Sequence, residues 1–159
     1  MKACVVAFVL LVIETSQLVN ANVEWSATNF PNPYRDFGAC NTRQESSVCD
    51  PDQLLTGIQR IRLDSDLKLL ESRTKQPTGT FCDVRGIQTI FLVVRKIRGG
   101  LKMDADRMTN ELLRKWEIDA GCRKGVVLLL ATDDMVFASA RGDSVPISDF
   151  ELTMLFNAQ

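Results

Sequence analysis

The side chains of this sequence that could do chemistry are carboxylates and cysteines, because the chain contains no histidine. Histidine is the usual general base near neutral pH and the commonest zinc ligand, and it activates the nucleophile in Ser/His and Cys/His pairs. This chain has none of these functions available from histidine. The mechanisms of most familiar hydrolases are therefore excluded. What remains is a set of carboxylates around a hard metal ion, or a single activated cysteine.

Five cysteines are present, and Cys4 lies in an N-terminal segment that we expect to be removed. The other four are Cys40, Cys49, Cys82 and Cys122. An even number in an oxidising compartment favours two disulfides, for which three pairings are possible. A four-thiolate metal site is the alternative, although such sites usually contain closely spaced cysteine pairs, which this sequence lacks.

The positions of the cysteines relative to two apolar runs suggest a pairing. Cys82 comes shortly before residues 87–94, and Cys122 shortly before residues 126–130. If these runs are neighbouring parallel strands, both cysteines approach the same edge of the sheet and come within bridging distance. Cys40 and Cys49 then pair locally.

The N-terminus has the layout of a signal peptide. Lys2 precedes an apolar run over residues 3–13, and Val19 and Ala21 are the small residues that a signal peptidase accepts. We therefore predict a signal peptide over residues 1–21. The run is well short of the roughly 20 residues that span a bilayer, and no later stretch is long and apolar enough. A buried core helix and an uncleaved anchor are the alternatives.

The composition is that of one soluble domain. The chain has 159 residues, of which 45% are hydrophobic and 25% charged, with a formal net charge of -1. No long block of one charge occurs, so nothing favours binding to nucleic acid.

Helical and strand patterns alternate after residue 48. Thr56 and Gln59 have the spacing of a capping box, which predicts a helix to about Thr74. Its apolar residues do not form one stripe, so it either packs on two sides or begins elsewhere. The further predicted elements are a strand over 87–94, a helix from 104 to 116, a strand over 126–131, a strand over 135–140, and a last helix that begins near Asp149 behind a Ser148–Glu151 capping box.

This alternation predicts an α/β fold, specifically a three-layer α/β/α sandwich with a small mixed sheet and two disulfides. We expect an extended N-terminal segment over 22–47 and an α/β domain over 48–159. The sequence stops within the last helical pattern, so either the domain is truncated at its C-terminus or it ends unusually early.

Several runs resemble the TPM domain, an α/β/α domain of extracytoplasmic proteins. They are residues 48–55, 90–94, 112–118, 124–134 and 148–149. The run from Trp116 through the Gly-Val-Val-Leu-Leu-Leu strand to an acidic turn is the most specific. Trp25, the Phe-Pro-Asn-Pro run at 30–33, Cys40 and residues 49–52 resemble the nematode branch that modulates the levamisole-sensitive acetylcholine receptor.

The resemblance implies an extracellular accessory protein that is either secreted or held at the outer face of the plasma membrane. Its implied partners are subunits of a ligand-gated ion channel, and membrane contact would come only through a partner or through a C-terminal helix beyond this sequence. In the receptor-modulating branch such a transmembrane helix follows the domain. On this interpretation we expect the protein to be a binding module and not an enzyme.

Other TPM branches imply calcium binding or a metal-dependent acid phosphatase. Asp50, Asp52, Asp133 and Asp134 occupy positions comparable to the acidic loop ends of those branches. Their oxygens are the ligand type that calcium takes, so calcium is the one cofactor that the resemblance allows. The alternative is that these aspartates cap and turn the chain, which is common for Asp.

Residues 141–143 spell Arg-Gly-Asp, an integrin-type tripeptide. Because the tripeptide follows a predicted strand directly, an ordinary turn is the favoured interpretation. No Asn-x-Ser/Thr acceptor for N-glycosylation occurs.

Overall fold

The computed structural model describes residues 23–148, 150–152 and 154. The predicted signal peptide over 1–21 lies outside these described residues. In chain order the elements are β1 (Glu24–Trp25), β2 (Val48–Cys49), α1 (Gly57–Arg73), β3 (Gln88–Val94), β4 (Lys96–Ile97), α2 (Lys102–Lys115), β5 (Gly125–Ala131) and β6 (Val136–Arg141).

A four-stranded mixed sheet with the order β2-β3-β5-β6 forms the centre of the domain. Strands β2, β3 and β5 are parallel, and β6 returns antiparallel to β5. The register places Phe91 opposite Leu128 and Leu128 opposite Ser139. The prediction that the two apolar runs are neighbouring parallel strands is therefore confirmed. A second, two-stranded sheet of β1 and β4 was not predicted, because two-residue strands leave no periodic pattern.

Alternating residues of the central strands build the main core. Ile90, Leu92 and Val94 of β3 share one buried cluster with residues of β5, β6 and α2. On the other face of the strand Thr89 and Val93 are buried and Phe91 is half-buried, so β3 is covered on both faces. Continuous apolar runs are typical of strands covered in this way, since neither face meets water.

Helix α2 is the amphipathic helix that the spacing predicted, although it begins two residues before Asp104. Its buried residues are Ala105, Met108, Thr109 and Leu112. Because these positions recur at intervals of three and four, they form one apolar stripe that packs on β5 and β6.

Helix α1 begins where the capping box predicted. The Thr56 hydroxyl accepts from the backbone N–H of Gln59 at 3.3 Å, and the Thr56 N–H donates to Gln59 Oε1 at 2.8 Å. None of its residues is buried, and Ile58 and Ile61 are exposed. Of the two explanations offered for its irregular apolar pattern, a wrong start is excluded and packing on two sides is not observed.

The N-terminal segment packs closely onto the domain. Ala27, Phe30 and Cys40 are buried within the main core. The ring of Phe30 meets Trp25 edge-on at 5.3 Å and Trp116 at 6.1 Å, both measured between ring centroids. Aromatic side chains bury large areas, so this short segment adds substantially to the core.

The predicted α/β class with a mixed sheet and two disulfides is confirmed, and the three-layer arrangement stays a prediction. The last helix is capped as predicted, because the Ser148 N–H donates to Glu151 Oε2 at 2.8 Å and the Glu151 N–H donates to Ser148 Oγ at 3.2 Å. The domain boundary predicted at residue 48 also stays a prediction.

Candidate functional site

The predicted disulfide pairing is confirmed at both positions. Cys40 and Cys49 are joined with their Cα atoms 4.5 Å apart, and Cys82 and Cys122 with theirs 5.3 Å apart. The second bridge links the loop before β3 to the loop before β5, as expected for two neighbouring parallel strands. The four-thiolate metal site is therefore excluded.

The four predicted acidic residues follow the carboxyl ends of parallel strands, Asp50 and Asp52 after β2, and Asp133 and Asp134 after β5. Asp50 is fully buried. Its carboxylate accepts from the backbone N–H groups of Leu54 at 2.8 Å and Leu55 at 2.9 Å, and from Arg60 Nη1 at 2.7 Å. Asp50 therefore fixes the turn from β2 into α1.

Asp52 and Asp134 also bind parts of the fold. Asp52 accepts from Trp25 Nε1 at 3.1 Å and from the Arg95 N–H at 2.7 Å, which ties β1 and the β3–β4 junction to the turn after β2. Asp134 accepts from the Ile97 N–H at 2.8 Å. These bonds compensate backbone and indole donors that the short strands leave without partners.

Asp133 is exposed, and from the residues that the structure describes its carboxylate accepts one long bond, 3.4 Å from the neighbouring Thr132 hydroxyl. Within the described residues, no three His, Cys, Asp or Glu side chains come together in a way that could hold a metal ion. All four aspartates thus lie at one edge of the sheet. The carboxylates of Asp50, Asp52 and Asp134 are engaged in hydrogen bonds that stabilise the fold. Calcium binding there stays a prediction.

The Arg-Gly-Asp tripeptide lies at the end of β6. Arg141 belongs to that strand, and its Nη1 donates to the Val145 carbonyl at 3.1 Å. Asp143 forms an ion pair with Arg123 at 2.9 Å. The side chain of Arg141 is therefore directed into the turn that follows β6.

Apolar side chains on the outside of α1 form a surface that sequence reasoning missed. Ile58 is 81% exposed and Ile61 is 70% exposed, and Leu69 is exposed as well. At about 100° per residue these three side chains lie within about 80° of each other around the helix. We call Ile58, Ile61 and Leu69 the outer face of α1. The sequence contained a signal for this exposed surface. The isoleucines at 58 and 61 and the leucines at 63, 67 and 70 do not lie on one stripe of the helix, so one set could remain uncovered.

A second group of exposed apolar side chains lies at the acidic edge of the sheet, and it consists of Leu101, Met103 and Met135. The loop before α2 and the β5–β6 turn meet there, because Asp134 bonds the Ile97 N–H. We call Leu101, Met103 and Met135 the edge group.

Among the described residues, three side chains have clearly shifted pKa values. Burial raises the pKa of Tyr34 above its ordinary value of 10.0, although a hydrogen bond from Gln88 opposes the shift. Hydrogen bonds from Thr80 lower the pKa of Asp83, and hydrogen bonds from Ser148 lower the pKa of Glu151. The two carboxyl groups belong to local turns and caps, so these shifts reflect local structure.

The fold and these surfaces define a small disulfide-bonded α/β domain. Most carboxylates at its acidic edge accept hydrogen bonds from backbone N–H groups of the domain itself. A family model described as modulator of levamisole receptor-1 matches residues 25–135, which is more than half of the chain. The chain therefore belongs to the modulator of levamisole receptor-1 family. No curated protein sequence matches it. The predicted receptor-modulator branch is confirmed, and the wider TPM relationship stays a prediction.

The two disulfides are compatible with an extracellular protein, because such bonds persist in oxidising compartments. Across residues 23–148, 150–152 and 154, no helix has both the length and the apolar character needed to cross a membrane.

Proposed function

We propose that this protein is an extracellular accessory module that binds a levamisole-sensitive, acetylcholine-gated channel and changes its gating or assembly. The observation that carries the proposal is the family match over residues 25–135, whose description names a modulator of the levamisole receptor. The two disulfides support the extracellular part of the proposal, since a channel partner would meet this domain outside the cell.

The outer face of α1 is the surface that we propose contacts the channel. Ile58 and Leu69 are eleven residues apart, which corresponds to about 16 Å along a helix. Exposed apolar side chains at helical spacing on one face are the pattern by which an amphipathic helix docks into a groove of a partner. Covering Ile58 and Ile61 would remove apolar surface from water, which favours association.

Polar contacts on the inner side hold α1 in place and keep its outer face rigid. Arg60 pairs with buried Asp50, and Asp64 Oδ1 accepts from the Ser47 N–H at 2.6 Å. At the other end, the Thr74 hydroxyl accepts from the Ile87 N–H at 2.8 Å. A preorganised helix loses little conformational entropy on binding, so its apolar side chains contribute more of their burial energy to affinity.

The test is to express the channel subunits with and without this protein and to record concentration–response curves for levamisole and acetylcholine, with co-purification as a second readout. We expect the protein to co-purify with the channel and to shift the currents. The double variant Ile58→Glu with Ile61→Glu should lose both effects, because two carboxylates would have to be desolvated in an apolar contact.

The matched control is Leu101→Glu with Met135→Glu, which places the same two charges on the edge group. This variant should co-purify and modulate as the unchanged protein does. If the control loses the effect and the α1 variant retains it, the contact surface is wrong while the accessory role stands. If the unchanged protein neither co-purifies nor alters the currents, the accessory role itself is wrong.

Calcium binding and metal-dependent acid phosphatase activity stay predictions from the TPM resemblance, and so does the expectation that the protein is not an enzyme. Calcium that binds the folded state would raise the melting temperature in a concentration-dependent way. Asp133→Asn should remove that rise, because Asp133 has the carboxylate least engaged with the fold. A phosphatase would in addition hydrolyse a phosphate ester.

A further inference from the structure

A cavity of about 380 Å³ lies between the N-terminal segment and the C-terminal end of α2. This volume is within the range of small-molecule sites. Three aromatic side chains line it, Phe30, Tyr34 and Trp116, together with two carboxylates, Asp36 and Glu117. The combination of aromatic rings and acids is the lining that an organic cation requires.

The aromatic side chains are held in place by the fold. The ring of Phe30 is buried and lies 6.1 Å from that of Trp116, measured between centroids. The Tyr34 hydroxyl accepts from Gln88 Nε2 at 2.9 Å. The face of an aromatic ring carries the negative part of its quadrupole, so a cation that meets the face of a ring already held in place is attracted without a cost for ordering that ring.

Glu117 occupies a position that is unfavourable for it in two respects. Its φ angle of 51° is in the left-handed region, where the residue after a helix is usually glycine. Glu117 also follows the C-cap Trp116 directly, so its negative charge belongs to the negative end of the helix dipole. Both features cost stability in the free protein, and a bound cation would relieve the second.

Two cationic side chains also line the cavity. The Lys115 ammonium donates to the Ala27 carbonyl at 2.7 Å, so part of its charge is already compensated by the protein. Arg35 is exposed, as are Asp36 and Glu117, and the Asp36 carboxylate accepts from the Asn32 N–H at 3.1 Å. The two cationic and the two acidic side chains balance in number, so the carbonyl end of α2 and the aromatic rings decide in favour of a positively charged ligand.

We propose that this cavity binds a small organic ammonium ion, with the cation against the aromatic rings and close to the carboxylates of Glu117 and Asp36. The site is on the domain itself and does not depend on the channel-accessory role. Methylated ammonium groups fit best, because they present apolar surface to the rings while carrying the charge.

The test uses tetramethylammonium and its neutral isostere tert-butanol, titrated into the disulfide-bonded protein and followed by tryptophan fluorescence and by chemical shifts of the tryptophan indole groups. We expect saturable binding of tetramethylammonium that perturbs Trp116, and no saturation by tert-butanol. Equal responses to the two probes would overturn the proposal, since shape alone would then explain the binding.

Glu117→Gln separates binding from folding. Removing the charge at the helix end should leave the melting temperature unchanged or raise it, while the dissociation constant for tetramethylammonium rises about three- to fivefold. Asp66→Asn on α1 is the control, because it removes an exposed carboxylate far along the chain from the cavity, and it should bind as the unchanged protein does. An unchanged dissociation constant in Glu117→Gln, or an equal loss in both variants, would contradict the site.

Discussion

Helices α1 and α2 both lie beside the same sheet, but only α2 is clearly amphipathic, and the two helices are attached in different ways. Helix α2 buries Ala105, Met108, Thr109 and Leu112 and has no side-chain hydrogen bond at its N-cap. Helix α1 buries no residue fully, and it is joined to the domain by the Asp50–Arg60 ion pair and by bonds to Asp64 and Thr74. Apolar burial therefore attaches α2, whereas polar contacts at defined points, together with the half-buried Leu63 and Leu67, attach α1.

The difference explains where exposed apolar surface can be kept. A helix that buries its apolar stripe to stay attached cannot present that stripe to a partner. Because polar bonds position α1, Ile58 and Ile61 are free to face outward. Gly86 contributes to this attachment, since a Cβ there would lie 1.7 Å from the Glu71 carbonyl oxygen and would push the helix away.

The largest expected effect concerns the apolar attachment of α2. Leu112→Ala should lower the free energy of unfolding by about 3 kcal/mol, because it leaves a cavity in a fully buried site. Leu69→Ala on α1 is the matched control and should cost less than about 1 kcal/mol, since its side chain is 45% exposed. Urea unfolding measures both values. Similar losses in the two variants would contradict the comparison.

The polar attachment of α1 is tested by Asp50→Ala. This change leaves the Leu54 and Leu55 N–H groups and the Arg60 guanidinium without their carboxylate, and it should cost about 2 to 3 kcal/mol. Asp66→Ala, on the exposed side of the same helix, should stay within about 0.5 kcal/mol. Hydrogen exchange should in addition rise throughout α1 in Asp50→Ala and remain unchanged in α2.

The outer face of α1 should tolerate substitution in the isolated protein. Ile58→Ser with Ile61→Ser is expected to change the free energy of unfolding by less than about 0.5 kcal/mol, because both side chains are already largely in water. Thermal unfolding of the purified domain measures this. A loss comparable to that of Leu112→Ala would mean that another part of the chain covers these residues.

The smallest expected effect is a change in the pKa of Tyr34, which reports whether α1 is packed against the rest of the domain. Tyr34 is the only tyrosine in the sequence, so its ionisation can be followed directly by ultraviolet absorbance. Burial first, and then the charges of Glu71 and Asp64 on α1, raise its pKa above 10.0. We expect a titration midpoint above 10, which should return towards 10 in Asp50→Ala if α1 detaches.

The same shift predicts a pH dependence of stability. Because the pKa of Tyr34 is higher in the folded than in the unfolded state, its contribution is fully present below pH 10 and is lost as the pH rises through the folded pKa. Tyr34→Phe should remove that loss. Comparing the free energies of unfolding of both proteins between neutral pH and strongly alkaline pH tests this prediction.

Much of the fold could be predicted from local patterns. The capping boxes at Thr56 and Ser148 marked helix starts correctly, because each pairs two side chains with backbone groups three residues away. The strands at 88–94 and 125–131 were recognisable as continuous apolar runs. The two-residue strands and the aromatic cavity were not predictable, since they depend on contacts between residues far apart in the chain.

The sequence by itself indicated the helices, the main strands and the family, because each depends on periodicity, spacing or a contiguous run of residues. The disulfide pairing that it suggested depended on two strands being neighbours in the sheet, which only the tertiary structure shows. Only the tertiary structure decided the use of the side chains. In the folded domain the carboxylates of Asp50, Asp52 and Asp134 accept hydrogen bonds from backbone N–H groups. Ile58 and Ile61 remain exposed. The physical reason is that a carboxylate binds whichever donor lies nearest, and an apolar side chain is buried only if another element covers it. Neither condition can be read from the neighbouring residues in the chain.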